Sequence, residues 1–232
     1  MIERYINNRV NAIWNDQNRF DTWKLIQEKY VETLEQLKIA EAGIAKKIRE
    51  AEVSKEEVYK QEEVTNHDLA SFVDILQKKV GEGSNWIHYG LTSSDIVDSA
   101  NSLLILQSIE IAQELILDLL KELKLKAKEN KDTKIIGRTH GVYAEETFLG
   151  NIFGNWYLEI KRSLDRLERA KVSIAYGKLS GPVGNHTVVT EEMEEITLEK
   201  LGLKPEIFAS QIVSRDRYCL LYTSPSPRDG RI

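Results

Sequence analysis

Cysteine occurs once in the 232 residues, as Cys219. An internal disulfide framework and a multi-cysteine metal site are therefore excluded, which fits a reducing compartment. Proline is absent before Pro182 and occurs four times in all, so most of the chain holds nothing that forbids a long helix. There is no run of 18 apolar residues, and the opening stretch "MIERYINNRV" is polar. The sequence thus reads without a membrane span or a secretion signal, and a cytoplasmic protein is expected. Basic blocks are missing too. With 32 Lys and Arg against 37 Asp and Glu, a net charge of -5 and a pI near 5.6, the charge pattern carries no nucleic-acid footprint. A local basic site for a small anion stays compatible with it, and the length allows one large domain or two smaller ones.

What is present is helical text. Apolar residues recur at spacings of three and four from about residue 11 onward, the period of an amphipathic helix. "FDTWKLIQEKYVETLEQL" sets Phe20, Trp23, Ile26, Tyr30 and Leu34 on one stripe, with acids and lysines opposite. Residues 95–129 predict a helix of unusual length, apolar almost all round from Leu103 to Leu120, which requires other helices about it. A second long pattern runs from Glu145 to about Ser173 and carries Phe148, Ile152, Trp156, Ile160, Leu164 and Leu167. The predicted fold class is all-α, with self-association through helix packing; a single-chain bundle completed by further helices is the alternative. The final stretch, "CLLYTSPSPRDGRI", holds two of the four prolines and breaks a helix that "SQIVSRDRY" begins. It reads as a flexible terminus or as a non-native tail on a gene cut near residue 218.

Three polar islands interrupt this text: "EEVTNHDLASF", "WIHYGLTSSDIVD" and "IIGRTHGVYAEE". Thr92, Ser93, Ser94 and Asp95 stand where the long helix begins, so capping explains one of them. The surplus hydroxyls and free N–H groups would suit a carboxylate at a positive helix end. In "TNHD", Thr65 is a candidate cap with Asp68 three residues on, and on spacing alone His67 reads as a surface histidine. His140 is the stronger chemical candidate, because Gly137 and Gly141 let the backbone turn sharply around it while Arg138 and Thr139 supply donors. No His-x-x-x-His pair or carboxylate ligand pattern is present, so no metal and no cofactor are implied. "GKLSGPVGN", before His186, lacks the setting and lysine position of a phosphate-binding P-loop.

Together the islands resemble the adenylosuccinate lyases of the fumarase/aspartase superfamily. "MIERY", "TNHDLASFV", "HYGLTSSDIVDSANS", "GRTHGVYAEETF" and "YGKLSGPVGN" carry the resemblance, in this order, over residues 1 to about 218. It implies an N-terminal helical domain over residues 1–92, the start of a long-helix bundle over 93–218, a tail over 219–232, and a homotetramer whose active sites draw on three subunits. The implied reaction is β-elimination of fumarate from adenylosuccinate to give AMP, and from succinylaminoimidazole carboxamide ribotide, in purine nucleotide biosynthesis. The resemblance makes His140 the general acid, assisted by His67 at the substrate's phosphate and carboxylate side. It assigns Thr92 and Ser93 to the succinyl carboxylate, Arg4 and Tyr5 to the nucleotide end, and Gln211 to another substrate oxygen. Asn66, Asp68, His88 and Thr139 lie in the matching motifs as substrate-binding candidates. The family's base is a serine on a loop of the form Ser-Ser-x-Met-Pro-x-Lys-x-Asn, which these residues do not contain; an inactive N-terminal fragment is expected. A lyase acting on argininosuccinate or aspartate, and a non-catalytic helical scaffold, are the competing readings.

Overall fold

The computed structural model describes residues 3–222. In chain order the helices are α1 (Asn8–Trp14), α2 (Asp16–Gln36), α3 (Ile44–Glu50), α4 (Lys55–Thr65), α5 (Asp68–Val80) and α6 (Ser93–Glu129). A hairpin of β1 (Lys134–Thr139) and β2 (Val142–Phe148) follows, then α7 (Leu149–Ile174), β3 (Tyr176–Gly177), α8 (Glu191–Lys200), β4 (Lys204–Pro205) and α9 (Cys219–Tyr222). The chain is predominantly helical, as its periodicity indicates. Of the tail expected from residue 219, the first four residues form α9 and the rest lies outside the described residues.

Among the described residues two compact units form: residues 3–108 with 174–215, and residues 109–173 with 216–222. The long helix α6 contributes residues 93–108 to the first and 109–129 to the second.

The stripe on α2 is the face the first unit buries. Phe20, Ile26, Tyr30 and Leu34 are fully enclosed and Trp23 nearly so, packed with Leu69, Phe72 and Leu76 of α5 and with Ile96 and Ala100 of α6. Trp23 meets Phe20 and Phe72 edge-on at centroid distances of 5.3 and 5.6 Å, a geometry that favours ring edges against ring faces. α4 opens on a capping box, with the Ser54 side chain accepting from the Glu57 N–H and the Glu57 carboxylate accepting from the Ser54 N–H. It closes at Asn66, whose left-handed backbone (φ 54°) is one that asparagine tolerates.

That closure moves the next cap away from Thr65, the residue expected to provide it. Thr65 is still helical in α4, and His67, in extended conformation, caps α5 by accepting the Ala70 N–H at Nδ1, 3.3 Å away. Thr65 instead accepts the His67 N–H through its hydroxyl at 3.2 Å.

In the second unit α6 is continuous through the apolar stretch, and part of its apolar surface is open. Leu120 and Leu123 are buried while Leu115, Leu117, Leu119 and Leu125 are about half exposed, at 51, 47, 44 and 47%. The helix expected from Glu145 starts instead at Leu149, because Glu145 and Glu146 belong to β2. β1 and β2 pair antiparallel from Lys134↔Phe148 to Thr139↔Val142, with a bulge between Ile136 and Arg138, and Lys134 pairs with Glu146 across the strands at 2.8 Å. Neither strand has a buried face, so the sequence shows no alternation of apolar and polar residues to betray them.

Candidate functional site

The first unit gathers a polar corner from three places: the α4–α5 junction, the loop 87–92 that leads into α6, and the segment 178–189. His67 stands at the start of α5, half exposed, with its Nδ1 3.5 Å from Asp68. Asn66, before it, is exposed. His67 is close enough to His88 to disfavour charge there.

His88 itself has a left-handed backbone (φ 64°), a conformation costly for a side chain with a Cβ unless its surroundings hold it. α2 provides the hold. The fully buried Gln27 accepts the His88 N–H at 2.9 Å and contacts His88 Nδ1 at 2.9 Å, and one turn on, Tyr30 donates its hydroxyl to the Tyr89 carbonyl at 2.8 Å. Burial pushes the His88 imidazole down to about 4, and His67 adds to the effect. The same enclosure pushes the Tyr30 phenol well above its ordinary range.

The start of α6 is fixed from inside. Asp95 accepts the Thr92 N–H at 2.8 Å, closing the first turn, and is itself completely buried. Its carboxylate meets the ammonium of Lys178, also completely buried, and accepts the Gly181 N–H at 3.2 Å; Lys178 donates to the Gly181 carbonyl at 2.9 Å. Burial pushes the Asp95 carboxyl up, while Lys178 and the two backbone N–H groups pull it back toward the ionised form. Ser99 lies against both polar backbone groups of Lys178 at 3.2 Å. One layer out, Glu194 accepts the Leu179 N–H at 2.6 Å and faces His186 at 3.7 Å. Burial raises the Glu194 carboxyl as well. Gly90 and Val188 bring the two loops together so closely that a Cβ on Gly90 would lie 2.4 Å from Val188 Cγ1.

With Asp95 turned inward, Thr92 and Ser93 remain partly accessible beside the first N–H groups of a long helix. Such an end favours an anionic group through its partial positive charge and unpaired donors. His67, His88, Thr92 and Ser93, with Asn66 and Asp68 adjoining, are thus the sequence candidates that the first unit assembles. Arg4 and Tyr5 belong to the same unit in a short 3-10 turn, the Arg4 guanidinium 4.8 Å over the Tyr5 ring, and Gln211 lies exposed on a bend. Thr139 and His140 belong to the second unit. His140 and Gly141 form the hairpin tip with φ of 51° and 78°, both positive as a tight two-residue turn demands. His140 is exposed there, and Arg138 covers the Tyr143 ring at 5.1 Å.

Gln27, Asp95 in its inward role, Lys178 and Glu194 escape a reading of the sequence. Gln27 lies on the apolar stripe of α2, four residues after Trp23 and three before Tyr30, so a polar residue at that spacing is the signal that could have found it. Lys178 finds its partner 83 residues away, so no local spacing announces it.

Lys178→Met is expected to destabilise the chain by about 3–5 kcal/mol, because it strands the Asp95 carboxylate in the interior. Asp95→Leu combined with Lys178→Met should recover much of that loss. Urea unfolding followed by circular dichroism measures both, and equal losses in single and double variants would deny the pair its role. For His88, the unfolded chain takes up a proton near 6.5 and the folded chain only near 4. Between these values the unfolded state binds more protons, so stability falls as pH drops through the window. His88→Asn, which keeps a side chain tolerant of the left-handed backbone, should flatten the slope of unfolding free energy against pH there; an unchanged slope would show that His88 does not titrate in this way.

Comparison with known proteins identifies the family. The family model described as Lyase matches residues 8–224. The adenylosuccinate lyase of Thermotoga maritima is 41% identical over 219 residues, covering 94% of this chain and 51% of that protein. The adenylosuccinate lyase of Aquifex aeolicus is 40% identical over 228 residues, covering 97% and 52%. The chain therefore spans about half the length of the curated relatives it matches. The crystal structure of 3-carboxy-cis,cis-muconate lactonizing enzyme from Pseudomonas putida superposes with a TM-score of 0.88 at 17% identity, over 95% of this chain and 52% of that one, a likeness of fold alone. With its polar corner on that fold and the family match running across nearly all of its length, the chain belongs to the Lyase family.

Proposed function

We propose that the chain supplies the substrate-binding half of an adenylosuccinate lyase, which releases fumarate from adenylosuccinate and from succinylaminoimidazole carboxamide ribotide in purine nucleotide synthesis. The relatives at about 40% identity support the choice of substrate. The observation that carries the reading is the convergence of His67, His88 and the Thr92–Ser93 helix start in one corner. Elimination needs a base for a weakly acidic C–H beside a carboxylate, fixed donors for the aci-carboxylate that results, and an acid for the departing nitrogen. In this proposal Thr92, Ser93 and the first N–H groups of α6 hold the succinyl carboxylate. His67, with Asn66 and Asp68 beside it, and His88 donate to substrate oxygens. Arg4 and Tyr5 bind the nucleotide end, and Gln211 binds a further oxygen.

His140 is the proposed general acid, with Thr139 next to it. Its place at an exposed hairpin tip suits a residue delivered to a site of another subunit. The base, a serine in the family, comes from residues outside these 232. The exposed leucines of α6 form the proposed contact of a homotetrameric bundle in the cytoplasm. A helical scaffold would have no use for a histidine held in a strained backbone by a buried amide.

Purified chain, freed of host enzyme, is expected to give no fumarate absorbance signal with adenylosuccinate; turnover by the chain alone would place the base within it. In a protein that includes the base, His140→Gln should lower turnover by about 10²-fold or more with little change in melting temperature, and near-normal turnover would remove the acid from His140. Sedimentation at micromolar concentration should show association driven by the leucine face. Leu117→Lys combined with Leu119→Glu should weaken it, and a monomeric parent chain would argue against the bundle.

A further inference from the structure

We infer that Gln27 fixes the imidazole of His88 as its Nε2–H tautomer, so that His88 presents a hydrogen-bond donor rather than a base to an anionic oxygen. The assignment follows from donor and acceptor chemistry alone. A backbone N–H only donates, so the Gln27 atom 2.9 Å from the His88 N–H is the carbonyl oxygen Oε1. The other end of the same amide is then the NH₂ group, which only donates. That group lies 2.9 Å from His88 Nδ1, so Nδ1 keeps its lone pair and the ring proton resides on Nε2. Imidazolium is excluded as well, since it would set one N–H against another.

Neither partner has freedom to rearrange. Gln27 is completely buried on α2, with Ile26 beside it and Tyr30 one turn on, both fully enclosed. Tyr30 pins the carbonyl of the residue after His88. The charged residues next along α2 are engaged elsewhere, Glu28 with Arg49 at 2.8 Å and Lys29 with Glu32 at 2.9 Å. His67 is the titratable group that bears electrostatically on His88, and its influence also favours the neutral ring.

Gln27 is thus a positioning residue, acting through His88 in the manner by which a partner on one ring nitrogen decides what the other offers. The consequence for catalysis rests on the proposed function: His88 would orient a carboxylate or phosphoryl oxygen and would neither give nor take a proton. The tautomer itself stands whether or not that reaction is the right one.

The test is ¹⁵N NMR of the histidine-labelled chain at pH 7, with the His88 signals identified by their loss in His88→Asn. Long-range couplings are expected to show an unprotonated Nδ1 and a protonated Nε2. Gln27→Glu retains an acceptor for the His88 N–H but places a carboxylate oxygen where the NH₂ stood, so a proton should appear on Nδ1. Gln27→Met, which offers neither group, should leave the ring without a single fixed tautomer. An Nδ1–H signal in the parent chain overturns the inference, as does an unchanged pattern in a Gln27→Glu protein whose circular dichroism is native. Should Gln27→Glu fail to fold, the parent spectrum decides alone.

Discussion

A lysine and an aspartate, both sealed from water, hold the first unit to its shape. Removing two charges from water costs several kcal/mol per ion, and the cost is recovered only when each finds close partners with good geometry. Asp95 finds Lys178 and the N–H groups of Thr92 and Gly181, and Lys178 finds Asp95 and the Gly181 carbonyl. Those partners come from the first turn of α6 and from the glycine-bearing segment after α7. Neither can shift without stranding a charge, so the pair acts less as a source of stability than as a condition on geometry.

That condition has a chemical result. Because Asp95 turns its charge inward, the outward side of the helix start presents the hydroxyls of Thr92 and Ser93 and backbone N–H groups. The neighbouring histidine follows a similar logic: the burial that denies His88 its charge also makes its hydrogen bonds to Gln27 stronger and more directional. Two enclosed side chains, one ionic and one amide, thereby govern what the exposed edge of the corner offers.

Much of the helical architecture is legible in the sequence because burial on one face writes a period. The α2 stripe from Phe20 to Leu34 is buried as read, and α6 runs close to the span its apolar residues indicate. Where no face is buried no period is written, and the hairpin of β1 and β2 has none for that reason, although Gly137 and Gly141 mark its bulge and its turn. The cap of α5 lies two residues beyond Thr65, the candidate by type, because residue type does not distinguish a left-handed Asn66 from a helical one. For the site, motif residues such as His67, His88, Thr92 and Ser93 stand out in the sequence. The residues that hold them are less evident: Lys178 and Asp95 are separated by 83 positions, while Gln27 leaves a single local trace, a polar side chain on the apolar stripe of its helix.

The first unit is also discontinuous in the chain, since residues 174–215 return to join residues 3–108 after an excursion through the second. During synthesis the ribosome must therefore deliver the whole of α7 before Lys178 exists to meet Asp95. Until then the start of α6 carries an uncompensated acid that favours solvent over the interior. Closing so long a loop is entropically slow, and the nascent helices expose apolar surface meanwhile, which makes this interval the point at which a chaperone would matter most to the protein.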